Sequence, residues 1–304
     1  MVAISVDGLN PDAIRELGRE GAPSFYRMLD EGAGTFNARS AVEQTVTLPN
    51  HTGMLTGRRV LSGSGHHVTM NLDPGGTVHD LAGHYVSSFF DIVHDRGGRT
   101  ALYAGKEKFE LFNRTWGAHG RPDRVGYDDG RDKIDTFVVA AAGVLVDRLV
   151  GSLSAPRRVN FLHLALPDVA GHAHGFMSPA YLRAVHRSDI LVGRILDRVA
   201  GDPDLRASVT VVLTADHGGR GAGHDVATDA DNYTIPFLAW GAGVADGRRL
   251  YALNRERTNP HHGRPGYDDP PPIRNTDLAD LVTSLLSGPE VAGSVSRTQP
   301  LRVS

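Results

Sequence analysis

Short apolar runs alternate along this chain with longer stretches whose apolar positions recur at helical spacing. That alternation is the signature of an α/β protein with a mostly parallel central sheet and helices on both faces. Runs rich in β-branched and apolar residues predict strands at 2–6, 99–104, 159–165, 209–214 and 234–240. Helices are predicted over 11–19, 23–31, 50–55, 86–96, 134–153, 179–200 and 276–286. In the sixth of these, Leu182, Val185, Ile190, Leu191, Ile195, Leu196 and Val199 mark the core-facing stripe. Residues 1–304 are expected to form a single catalytic domain. Segments 62–83 and 109–132, rich in Gly, Asp, His and Arg, and 258–274, with three consecutive prolines, follow neither period and are expected as small lid insertions over a site.

Composition narrows the function. The chain carries 32 Lys and Arg against 35 Asp and Glu, interspersed, for a net charge of -3. No cationic face of the kind that dominates nucleic-acid affinity is present, so duplex binding is not expected. The absence of cysteine excludes disulfides, thiolate metal sites and cysteine nucleophiles. The longest apolar candidate, 137–146, is too short to cross a bilayer and runs into Asp147 and Arg148, so no membrane span is expected. The chain opens on an apolar strand with no signal peptide before it, which predicts a cytoplasmic protein as given, or a secreted one if a leader was trimmed.

In open α/β sheets ligands bind beyond the carboxyl ends of the strands. Asp7 follows the first predicted strand, Asp168 and His172 follow the third, Asp216 and His217 follow the fourth, and His224 lies in the glycine-rich turn beyond. Singly, each reads as a turn, cap or surface residue. Together they form carboxylate and imidazole sets. Asp168 and His172, four apart, point the same way from one helical turn and can share a metal. Asp216 and His217 can serve a second ion if Gly218 and Gly219 permit a tight turn. Such donors suit Zn²⁺, with Mn²⁺ or another divalent ion possible. Thr47 precedes Pro49 at a predicted helix start, where amide groups favour an anion; its hydroxyl is either an N-cap or a nucleophile ionised by a bound metal.

These residues resemble the alkaline phosphatase superfamily, specifically type I phosphodiesterases/nucleotide pyrophosphatases and the related phosphonoacetate hydrolases. The matching pieces, in the family's order, are VDGL from Val6, TLPNHTGMLTG from Thr47, HHVTMN from His66, LPDVAGHAHG from Leu166, TADHGG from Thr214 and GHD from Gly223. The resemblance implies an alkaline phosphatase-like fold and two zinc sites. Asp168, His172 and His224 would form one, with His261 or His262 as a fallback for His224; Asp7, Asp216, His217 and the Thr47 oxygen would form the other. Thr47 is then the nucleophile, giving a phosphothreonine intermediate, and Asn71 holds a non-bridging phosphoryl oxygen. Lys106 and Lys108 fall where related enzymes approach the substrate. Phe109, Phe112 and Trp116 either stack on a base or aromatic leaving group or pack a lid.

The activity so implied is metal-dependent hydrolysis of a phosphodiester or pyrophosphate bond in a small phosphorylated substrate such as a nucleotide. A phosphomonoesterase or phosphonate hydrolase is the nearer alternative; a non-catalytic module that binds a phosphorylated ligand is the more distant one. Sulfatases of the superfamily build their nucleophile from a cysteine or serine in a CxPxR-type motif, whereas here Thr47 is followed by LPNH.

Overall fold

The computed structural model describes residues 1–117, 132–155, 158–296 and 299–304. Eight strands form one sheet: β1 (Val2–Val6), β2 (Ala33–Arg39), β3 (Arg99–Ala104), β4 (Thr136–Val139), β5 (Arg158–Leu164), β6 (Thr210–Thr214), β7 (Thr234–Gly241) and β8 (Arg248–Arg249). Their order across the sheet is β4-β3-β5-β1-β6-β7-β2-β8. From β4 to β6 neighbours pair in parallel; β7 runs antiparallel to both β6 and β2. The fold class expected from the pattern is therefore the one observed. Every residue of β1 and β6 is buried, as central strands covered on both faces must be.

Helices pack both faces. Pro179–Ala200 begins at Ser178, whose hydroxyl accepts from Tyr181 N, and its buried stripe includes Val185, Leu191, Val192, Ile195, Leu196 and Val199. From the same helix, the buried Asp189 carboxylate accepts from Ser24 N and Phe25 N at 3.1 and 2.7 Å, capping the helix Pro23–Asp30 where its own N-cap residue, Ala22, has no side-chain acceptor.

Three expectations are corrected. The single helix over 134–153 is in fact strand β4 followed by the helix Ala142–Ser152. The β-branched run of residues 136–139 pairs with the edge of β3, a tertiary outlet that local periodicity does not show. The helix expected at 50–55 spans Thr47–Thr56, so Thr47 is its first residue rather than its cap. Segments 62–83 and 109–132 are not wholly irregular: Val78–Ala82 and Glu110–Trp116 are helical, while 118–131 lies outside the described residues. Among the described residues no helix is long and apolar enough to cross a membrane.

Candidate metal centre and nucleophile

Strand β1 lies between β5 and β6, so the residues that leave these three strands meet at one edge. Adjacent strands stand about 4.8 Å apart, a separation that brings side chains from their ends within reach of common ligands. Asp7 follows β1 directly and stays tied to its neighbour: Asp7 N donates to Leu164 O at 2.9 Å, and Asp168 N donates to Asp7 O at 3.1 Å. Gly8 has φ +69°, and a Cβ there would stand 3.0 Å from Asp168 Cα. Only glycine lets the two chain turns approach so closely. Asp168 and His172 project from the helix Leu166–His174, one near each end.

Two ligand sets result. Asp168 Oδ1 lies 3.3 Å from His172 Nε2 and 3.4 Å from His224 Nε2, and the two imidazole nitrogens are 3.1 Å apart. His217 Nε2 lies 3.1 Å from Asp216 Oδ2 and 3.5 Å from Asp7 Oδ1. The sets are contiguous: the His217 and His224 rings stack with centroids 3.6 Å apart, and His217 also falls within ligand range of Asp168 and His224. His261 and His262 belong to neither group. His261 instead offers its carbonyl to Asn37 and Arg39, and His262 its carbonyl to Tyr233.

Hydrogen bonds fix the orientation of these donors, which could hold a cation. Each imidazole has Nδ1 facing a backbone carbonyl: His172 faces Ala222 O at 2.9 Å, His217 faces Gly218 O at 2.8 Å and His224 faces Thr45 O at 2.7 Å. A carbonyl only accepts, so Nδ1 carries the proton in the neutral ring and Nε2 turns a lone pair inward. The carboxylates are divided likewise. Asp216 Oδ1 accepts from Gly8 N and His217 N, and Asp7 Oδ2 accepts from His163 Nε2. The opposite oxygens, Asp7 Oδ1, Asp168 Oδ1 and Asp216 Oδ2, are buried with no hydrogen-bond partner among the described residues, as are His217 Nε2 and Thr47 Oγ1. Buried polar atoms are seldom left so. Lone pairs converging from carboxylates and imidazoles fit divalent cations.

The charged groups also act on one another. Burial disfavours the imidazolium of His217, but Asp216, Asp7 and Asp168 outweigh it and raise the pKa to about 9. Burial lowers that of His224 to about 4, with the neighbouring His217 acting in the same direction. Burial also works against the Asp7 carboxylate, yet Lys106, His163 and His217 hold its pKa well below the usual range.

Thr47 is fully buried, and its hydroxyl makes no capping bond, so the N-cap alternative is excluded. Its surroundings tie it to the ligand sets. The carbonyl of Thr47 accepts from His51 Nδ1 at 2.8 Å, and His51 Nδ1 lies 3.5 Å from Asp216 Oδ2. Two residues earlier, the Thr45 carbonyl accepts from His224 Nδ1 and the Thr45 hydroxyl donates to the His224 carbonyl. One residue later, Leu48 N donates to Asn71 Oδ1 at 3.1 Å. Lys108 Nζ donates to that same oxygen at 2.9 Å. With both donors on Oδ1, the Asn71 amide nitrogen is oriented the other way, available to an incoming acceptor.

Other expected residues stand differently. Lys106 Nζ bonds the carboxylates of Asp7 and Asp168. Phe109 presents no face to a substrate. Its ring is fully buried, lies 4.3 Å from His163 in a stacked arrangement and meets His51 and Phe112 edge-on. Phe112 and Trp116 are equally buried, with Trp116 Nε1 donating to Val86 O. Gly218 and Gly219 serve close approach rather than a left-handed turn: a Cβ at Gly218 would lie 2.0 Å from Asp231 O, and at Gly219 2.3 Å from the Phe176 ring. Sequence reasoning missed Ser5, His51 and His163. Ser5 Oγ donates to His51 Nε2 at 2.8 Å, and Ser5 sits opposite His163 in the β1–β5 register. For Ser5 and His163 the available signal was a polar residue inside the apolar run of a central strand; His51 lies in the helix Thr47–Thr56.

The profile of type I phosphodiesterase / nucleotide pyrophosphatase proteins matches residues 1–73 and 103–267, more than half of the chain and all the residues of the site. This chain belongs to that family. In structure it is similar to human ectonucleotide pyrophosphatase/phosphodiesterase 5, with a TM-score of 0.67 at 14% identity over 100% of both chains. It is also similar to an alkaline phosphatase superfamily protein from Vibrio parahaemolyticus, with a TM-score of 0.60 at 14% identity over 94% of this chain and 65% of the other. Among curated proteins it is similar to human GPI ethanolamine phosphate transferase 1, 25% identical over 97% of this chain and 32% of that protein. The chain spans less than a third of the length of the curated relatives it matches.

Proposed function

We propose that this family member is a two-metal phosphodiesterase that attacks its substrate with Thr47. The observation that carries the reading is the set of buried, partnerless atoms on Asp7, Asp168, Asp216, His217 and Thr47, four of them metal donors and the fifth a hydroxyl beside them. Asp168, His172 and His224 hold one divalent cation; Asp7, Asp216 and His217 hold the other, with the donor set suiting Zn²⁺ and also accepting Mn²⁺. Two such cations, when bound, supply Lewis-acid stabilisation to the entering and departing oxygens of an in-line displacement.

The chain's own residues do the rest. Thr47 Oγ1 gives up its proton and forms a bond to phosphorus as the ester oxygen of the leaving group departs and takes up a proton, giving a phosphothreonine diester or monoester according to the substrate. The position of Thr47 in the first turn of its helix places developing negative charge at the positive end of the helix dipole. The Asn71 amide donates to a non-bridging phosphoryl oxygen, and Lys108 acts on the substrate through Asn71. Water then cleaves the Thr47–phosphorus ester and restores the hydroxyl.

A second reading has specific support: the curated relatives matched by sequence are named GPI ethanolamine phosphate transferases. In that case an alcohol takes the place of water in the second step. One assay separates them: bis-p-nitrophenyl phosphate, p-nitrophenyl phosphate, ATP and phosphonoacetate are offered to the zinc-loaded protein with and without a primary alcohol. Phosphate product released to water (p-nitrophenyl phosphate from the diester, AMP and pyrophosphate from ATP) supports the hydrolase; phosphoester formed on the alcohol supports the transferase. Preference for p-nitrophenyl phosphate or phosphonoacetate over the diesters would replace the phosphodiesterase reading with the monoesterase or phosphonate one.

A further inference from the structure

One ammonium joins the two ligand sets. Lys106 Nζ lies 2.6 Å from Asp7 Oδ2 and 2.6 Å from Asp168 Oδ2, and only 16% of its side chain is exposed. It arrives from the end of β3 through Gly105, whose N–H donates to His163 Nδ1 at 3.1 Å. In each carboxylate Lys106 takes the oxygen turned away from the ligand imidazoles, in Asp7 the one that also accepts from His163 Nε2, and leaves the oxygen that faces His217 or the His172–His224 pair. The ammonium and the expected cations therefore share the same two carboxylates from opposite sides. Burial disfavours the charge on Lys106, but Asp7 and Asp168 outweigh it and raise its pKa above the ordinary lysine range.

Two buried carboxylates without a counter-charge are strongly destabilising, and removing one partner of a buried pair leaves such a charge behind. Two divalent cations bound on the far side of the same carboxylates are in turn repelled by an ammonium a carboxylate's width away. We propose that Lys106 is a resident counter-ion of the metal centre, its single charge offsetting part of the two on Asp7 and Asp168 so that the protein folds before it is loaded, and weakening its hold on the cations that follow. The proposal rests on the two-cation reading of the site. It differs from a substrate contact, which would leave metal-free stability and zinc affinity unchanged when Lys106 is replaced.

The test compares the full chain with its Lys106→Met, Lys106→Gln and Lys106→Arg variants after chelation and dialysis, by thermal unfolding and by calorimetric titration with zinc alone. Lys106→Gln keeps hydrogen-bonding capacity without charge, and Lys106→Arg keeps the charge. The neutral variants are expected to unfold roughly 5 °C lower without metal and to bind zinc about tenfold more tightly, with Lys106→Arg close to wild type in both. A neutral variant that folds only with zinc is the extreme of the same result. Unchanged or higher metal-free stability, equal or weaker zinc affinity, or a variant that stays unfolded in zinc overturns the proposal. If wild type and variants alike bind no zinc, the two-cation reading fails and takes the proposal with it; if wild type binds zinc and the neutral variants match it, only the role of Lys106 is overturned.

Discussion

His163 donates from Nε2 to Asp7 Oδ2 across 2.9 Å, and its tautomer is set from behind, because Gly105 N donates to Nδ1 at 3.1 Å. A backbone amide, an imidazole and a carboxylate thus form a relay of fixed polarity from β3 through β5 to the end of β1. Partners of this kind orient a ligand and commonly carry a 10–100-fold effect on metal affinity or activity. His163→Ala is expected to weaken zinc binding or lower kcat/KM by roughly that factor. His163→Gln, whose amide nitrogen can still donate to Asp7, should recover part of the loss. Zinc titration and kinetics on the same preparations check this; a His163→Ala protein equal to wild type in both would remove His163 from the site.

The separation of ligands into two sets predicts separable metal losses. Asp168→Asn and Asp216→Asn are each expected to retain about one divalent ion per chain where the wild type retains two, since each keeps the opposite set intact. Metal analysis after zinc loading and gel filtration measures it. Full occupancy in either variant would mean that the sets have been drawn wrongly.

Phe109 supports the site from beneath. Emptying its fully buried position in Phe109→Ala is expected to cost about 3–5 kcal/mol of stability in urea unfolding. Had the ring stacked on substrate, the same change would raise KM and spare stability.

Far from the chemistry, Asp189 provides a cap across elements. Asp189→Ala should lower stability by about 1–2 kcal/mol, the range for a lost N-cap, while kcat per folded molecule stays at the wild-type value. Denaturant midpoints and active-site-normalised rates distinguish this from a loss of function.

Much of this organisation can be read from the sequence, for a physical reason. The central strands are buried on both faces, so their apolar runs stand out, and β1, β3 and β6 fall within a residue of expectation. Residues that follow such strands are forced to the same edge, which is why Asp7, Asp168, Asp216 and His217 could be named together. Strands toward the two flanks of the sheet are less legible. Strand β2 carries Gly34 and Asn37 and breaks register between Thr35 and Ala38, and β4 reads locally as helix. Least legible are contacts fixed by long-range register: nothing adjacent to His163 in sequence identifies Asp7 as its partner, and nothing near Lys106 shows that its charge is spent on two carboxylates rather than on a substrate. Phe109 failed for the same reason, because its neighbours His51 and His163 come from other elements.

The most direct test of the account is hydrolysis of bis-p-nitrophenyl phosphate by the zinc-loaded protein, with Thr47→Ser and Thr47→Ala compared at equal metal content. The account predicts that Thr47→Ala binds two zinc ions yet loses activity by at least about a hundredfold, and that Thr47→Ser, which restores a hydroxyl, keeps a measurable part of it. A Thr47→Ala protein that carries both ions and hydrolyses the diester at the wild-type rate would contradict it.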